Sequence, residues 1–225
     1  MKGTAEPPPR RDLAEGLGRL ETLMAEMTDL AGKSLDTALA LVSGANGSAI
    51  DQVLAYDRQI YERKQDVVKT CVDLLALHGP VAKDLRTITA TLEIAGDLDR
   101  FGRYAKDIGE LMRELGPADR DSIAHLPSLV RMGQLTRAMF QRAVAAYRTR
   151  DLATAQDLDR ADNEVDDLHE QVFRDVVGRI ADSSVTPPAG AALILMNRYF
   201  ERLADHAVNI GSHVEYMLAG SRQRW

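Results

Sequence analysis

The chain has 225 residues, 28% of them charged and only 5% aromatic, and a formal net charge of −6. That length is enough for one large or two small domains with real cores, while the acidic balance excludes a general nucleic-acid binder, which needs a basic face. A lone cysteine, Cys71, excludes a disulfide framework, and no apolar run approaches the roughly 18 residues that span a bilayer.

Residues 1–10 are Pro-rich and polar and lack the apolar core of a signal peptide, so a disordered extension on a cytoplasmic protein is expected. A first helix is expected over about 12–42, where Leu13, Leu17, Leu20, Met24, Met27, Leu35, Ala38 and Leu41 recur at helical spacing and form core. Two glycines within 43–48 break the pattern, and Asn46 or Ser48 is placed to cap a second helix running to about 77. Cys71 sits in that helix's apolar pattern with Val67, Val68, Leu74 and Leu75, as a buried structural thiol. Gly79 is the expected C-terminal cap, and Pro80 suits the first turn of the next helix. The third helix covers about 81–115, with Asp84 and Arg86 capping and pairing locally near its start. Gly116 and Pro117 end it, and 119–127 reads as a polar connection. A fourth helix spans about 128–148. Asp151 caps a fifth that runs to about 181, and Thr186 before Pro187 starts a sixth that ends near 218.

Six long amphipathic helices with short connections, and no alternating Val/Ile/Thr-rich segment, predict an all-α fold, a tandem repeat of two three-helix bundles. The expected division is a first repeat over 11–116, a second over 117–219, and a tail at 220–225. The chain also matches itself. Asp99, Arg100, Ala105 and Ile108 align with Glu201, Arg202, Ala207 and Ile210 at an offset of 102 residues. Upstream the offset is 105, pairing Met27 with Met132, Leu30 with Leu135, Ala38 with Ala143 and Asp57 with Asp162. Such fixed offsets are the mark of a duplicated unit.

Glu201 and Asp205 stand four residues apart, so on a helix both carboxylates project from one face, where like charges repel. Asp162 and Asp166 have the same spacing. If these two helices are neighbours, four carboxylates converge on an oxygen-rich site for a hard cation. His206 and His213 share a helix face but have no evident partner, and read as satisfied or exposed histidines rather than ligands. Asn209, four residues after Asp205, is a weaker candidate for the site. Arg100 and Arg202 are expected to pair with charges inside the bundles.

These residues resemble the PhoU family of phosphate-signalling regulators. The resemblance covers about residues 12–218 and is carried most specifically by Pro80-Val-Ala-Lys-Asp-Leu-Arg86 and by the acid-Arg-hydrophobic-small segments at 99–102 and 201–204. It implies two repeated three-helix bundles whose acid pairs hold metal ions or clusters on the bundle surface. In this chain the second repeat keeps Asp162, Asp166, Glu201 and Asp205, whereas the first keeps only Asp57 and Asp99. Tyr61 and Arg103 stand where the other two acids would be. A guanidinium beside Asp99 supplies a fixed positive charge, so Arg103 is expected to replace the metal of the first repeat and bridge Asp57 and Asp99. Glu93 and Asp97, though four residues apart, fall out of the family register.

The resemblance also implies a negative regulator of phosphate uptake and phosphate-starvation signalling. Its partners would be the sensor histidine kinase and the ATPase subunit of a phosphate ABC transporter, with peripheral membrane association at most and possible homodimerisation. The metal would be Fe, Mn, Mg or Zn. The neighbouring alternative is an accessory regulator of another phosphate carrier. A carboxylate-bridged di-metal enzyme is disfavoured, because such sites need Glu-x-x-His pairs and Glu201 is followed at that spacing by Ala204. No nucleophile triad, glycine-rich phosphate loop or Cys/His zinc spacing is present, so no catalytic residue is assigned.

Overall fold

A computed structural model describes residues 9–45 and 47–220. All regular structure among them is helical. Six long helices carry the fold: α1 (Pro9–Val42), α2 (Ser48–His78), α3 (Ala82–Glu114), α5 (Pro127–Thr149), α7 (Leu158–Ala181) and α8 (Pro187–Ala219). Two short ones, α4 (Pro117–Ala124) and α6 (Leu152–Gln156), fall in the connections. Helix α1 begins at Pro9, and the disordered extension expected over 1–10 otherwise lies outside the described residues, as does the tail at 221–225.

The stop and start signals act largely where the chain chemistry places them. Gly79 ends α2 in the left-handed region at φ 50°, a conformation without steric cost for glycine. The Asp151 side chain accepts from Thr154 N, and that of Thr186 from Ala189 N, each satisfying a free amide at a helix start. Three expectations fail. The cap residue of α2 is Gly47, with Ser48 already inside the helix, and Asn46 lies outside the described residues. Asp84 lies in the first turn of α3, but the cap residue is Val81 and no side chain caps it. The polar connection at 119–127 contains α4, because Pro117 occupies a first-turn position where its missing N–H is no loss.

Helices α1, α2 and α3 pack on one another, and α5, α7 and α8 do the same. The third helices, α3 and α8, lie side by side and join the two sets, with α1 also touching α5. One continuous apolar core results: Met24, Met27, Leu35, Ile60, Ile88, Leu98, Phe101, Met132, Met196, Phe200 and Leu203 are all at most 1% exposed. Phe101 of α3 meets Phe140 of α5 with ring centroids 4.6 Å apart, closing the core between the two sets. Cys71 is buried, and burial pushes its thiol up to about 11, which leaves it inert.

The duplication is visible in the packing. Gly109 and Gly211, related by the offset of 102, let α3 and α8 each approach a neighbour closely. A Cβ on Gly109 would stand 2.5 Å from Val53 Cγ1, and one on Gly211 would stand 2.7 Å from the Ala155 carbonyl oxygen. A valine side chain can give way, but a helix carbonyl moves only with its backbone. Gly211→Ala is therefore expected to cost about 1–3 kcal/mol, more than Gly109→Ala. Urea midpoints of the two variants check this, and equal costs would count against the backbone clash.

Candidate metal-binding face

Asp162 and Asp166 project from α7, and Glu201 and Asp205 from the neighbouring α8. Crowding perturbs Asp162, Asp166 and Glu201, with Asp205 among the causes in each case. Asp162 is pushed from 3.8 up to about 7, first by burial and then by Asp166, Asp205, Asp159 and Glu201. Burial followed by Asp205 also raises Asp166 and Glu201 above the ordinary carboxylate range. Among the described residues the arginines that reach this group do so at its edge. Arg198 Nη1 donates to Glu201 Oε1 at 2.6 Å, and Arg202 Nε stands 3.9 Å from Oε2, leaving Oε2 buried without a hydrogen bond.

The donor set is all oxygen, concentrated negative charge with an orphaned acceptor, and this chemistry fits a hard cation. Among the described residues no three His, Cys, Asp or Glu side chains already stand as a ligand shell, so occupancy needs rotation of these side chains. Asn209, the weaker candidate, is exposed.

The first repeat has replaced this arrangement with internal cations. Arg103 Nε lies 3.4 Å from Asp57 Oδ1, while Asp99 is held by Lys64, whose Nζ donates to Oδ2 at 2.9 Å. Arg103 thus pairs with Asp57 and does not bridge to Asp99 as expected. Its guanidinium stands on the Asp57 side, and the shorter reach to Asp99 belongs to Lys64 on α2. Tyr61 is half exposed and Arg100 makes no ion pair among the described residues.

A family model described as the PhoU domain matches residues 24–112 and 129–214, most of the chain. The chain belongs to the PhoU family. It is 32% identical over 213 residues to a Mycobacterium tuberculosis protein named phosphate-specific transport system accessory protein PhoU homolog 1, covering 92% of this chain and 91% of that one. A Caulobacter vibrioides PhoU homolog is 30% identical over 210 residues, with 93% and 91% covered. In fold, PhoU from Pseudomonas aeruginosa superposes with a TM-score of 0.82 at 24% identity, over 92% of this chain and 99% of that one. The Streptococcus pneumoniae phosphate transport system regulatory protein PhoU gives 0.84 at 21%, over 95% and 100%.

Two features of this PhoU-family chain escaped the sequence. The first is His169 on α7, which takes the place of Lys64 at the offset of 105. It acts on Asp166 and Glu201, opposing their upward shifts, and its Nδ1 is buried without a partner. Carrying the same offset through to Lys64 would have found it.

The second is a clamp where α3 meets α8. Asp97, out of the family register, accepts from His206 Nδ1 at 2.9 Å on Oδ1, and His213 Nε2 lies 3.1 Å from Oδ2 outside hydrogen-bond geometry. Burial alone would raise the Asp97 carboxyl, but the two histidines beside it hold it below its ordinary value. His206 is therefore satisfied, by a residue 109 positions before it, whereas His213 stands against the same carboxylate with its Nδ1 buried and without a hydrogen bond. The offset of 102 maps Asp97 onto Tyr199 and His206 onto Tyr104, and those two rings stack with centroids 5.6 Å apart. The contact between Asp97 and His206 is thus a hydrogen bond and its repeat-equivalent an aromatic stack.

Proposed function

We propose that this chain is a cytoplasmic negative regulator of phosphate uptake and phosphate-starvation signalling. It acts through contact with the ATPase subunit of a phosphate ABC transporter and with a sensor histidine kinase, and not through catalysis. The match of both repeats to the PhoU domain carries this reading, and the names of the relatives, accessory proteins of phosphate-specific transport, support it. No helix among the described residues is long and apolar enough to cross a membrane, which suits a protein that docks on a membrane complex from one side.

Asp162, Asp166, Glu201 and Asp205 would hold an Fe, Mn, Mg or Zn ion, with His169 beside them. A bound ion supplies at least two positive charges to a face that otherwise repels itself. The carboxylates would orient toward that charge, and the local charge of the α7–α8 surface offered to a partner would change by at least two units. Asp57 and Asp99 are held by Arg103 and Lys64, so the first repeat presents the same charge with or without metal.

Deletion of the gene is expected to raise phosphate uptake and phosphatase expression in phosphate-rich medium. The chain should restore repression, whereas one with Asp162, Asp166, Glu201 and Asp205 all changed to Asn or Gln should not. Unchanged uptake after deletion would remove the regulator reading. Full repression by the acid-less variant would remove the metal from it.

A further inference from the structure

Two adjoining cavities of about 200 and 180 Å³ open where the C-terminus of α5 meets α1 and the start of α3. Both are lined by Glu21, Tyr147 and Arg150. Arg148 and Met24 line the first, and Lys83 together with the Asp84 carboxylate lines the second. Arg150 ends α5 in the left-handed region at φ 58°, ψ 39°. The first repeat makes the turn after α1 with a left-handed glycine, Gly44 at φ 96°, which has no Cβ to strain. An arginine kept in a conformation that favours glycine points to a use for its side chain.

The side chain is poised and short of acceptors. Its guanidinium carbon lies 5.5 Å from the ring centroid of the buried Tyr147, whose hydroxyl is fixed at 3.0 Å from Thr91 Oγ1. Among the described residues its donors meet only the Met217 thioether sulfur and, at 3.6 Å, a Glu21 carboxylate oxygen beyond hydrogen-bond distance. Glu21 is itself largely exposed, so that pair holds the group weakly. Arg148 and Lys83 are exposed and make no ion pair or hydrogen bond among the described residues. A guanidinium over an aromatic wall, with two further cations at the rims against the two carboxylates of Glu21 and Asp84, leaves one positive charge in excess and is an acceptor-seeking arrangement suited to a planar or tetrahedral oxyanion. Met24, Ala25 and Tyr147 add apolar wall to the same space.

We infer that this junction is a binding site for a small phosphorylated ligand. Arg150 and Arg148 hold the phosphoryl group, Lys83 adds charge at the second cavity, and the apolar body of the ligand rests against Tyr147 and Met24. The site is separate from the acidic face on α7 and α8 and does not depend on the regulatory function proposed for the chain.

Isothermal titration of the full chain with AMP, ATP, adenosine and inorganic phosphate tests this, with EDTA present so that no metal on the acidic face contributes. AMP or ATP is expected to bind at least tenfold more tightly than adenosine or inorganic phosphate. Arg150→Gly, which suits the left-handed backbone and should keep the fold, is expected to weaken binding at least tenfold, and Arg148→Ala to do likewise. Inorganic phosphate binding as tightly as AMP would assign the site to the free ion and overturn the role given to Tyr147 and Met24. Absence of binding by every probe, or binding unchanged in Arg150→Gly with its circular dichroism intact, would overturn the site.

Discussion

Asp162→Asn is expected to make the metal-free protein more stable at pH 8 and to remove most of the stabilisation by added metal that the proposed site would give. The folded carboxyl titrates at about 7 instead of 3.8, so the folded state resists ionisation that the unfolded chain undergoes freely. The sign is fixed by that difference. Below about pH 4 both states hold the proton and nothing is lost. Stability then falls as pH rises through the folded value, and the loss is complete above it. Unscreened, a shift of that size corresponds to about 4 kcal/mol, but the side chain is only half buried and solvent screens its neighbours, so roughly 1–2 kcal/mol is expected. Asparagine keeps the shape and carries no charge to repel Asp166, Asp205 and Glu201. Thermal melts at pH 5 and pH 8, with EDTA and with added Mn²⁺, read both effects. A variant equal to the parent at pH 8, or still stabilised by the ion to the same degree, would show that these carboxylates do not share one field.

Phe101→Ala is expected to cost about 3–5 kcal/mol, the largest stability loss of any substitution proposed, because it empties a fully buried ring position. The ring also makes the 4.6 Å contact with Phe140, so the loss falls where α3 of the first repeat meets α5 of the second. Urea unfolding followed by circular dichroism measures it. The parent should unfold in a single transition, since one core runs through both repeats. The variant should shift to a lower midpoint. A cost under about 1 kcal/mol would mean that the two repeats barely support one another.

How much of this was legible in the chain itself differs between the fold and the site. The apolar stripe of α1, the glycine cap at 79 and the Thr186 cap are local signals, and each appears in the structure where the spacing put it. Asp151 also caps a helix, but the short α6, because a turn at Asp157 splits the expected fifth helix into α6 and α7. That Asp162, Asp166, Glu201 and Asp205 lie within one another's field was also readable, because two i, i+4 pairs and an internal repeat place helices five and six in equivalent roles, while their use as a metal site is a proposal. The partners of the first repeat were half readable. Arg103 was found from its own helix face, while Lys64 comes from a different helix and was missed.

By itself, the order of residues determined an all-helical duplicated chain and an acid cluster on its second half, because burial on one face of a helix leaves a one-dimensional period that needs no partner to be seen. Only the tertiary structure decided that Asp97 is clamped by His206 and His213, that His169 stands beside the acids, and that Arg150 lies between two cavities with Tyr147 at its back. Those pairings join helices far apart in sequence. They depend on how each helix is rotated and crossed over its neighbour, a choice made by the packing of the whole core and encoded in no local spacing.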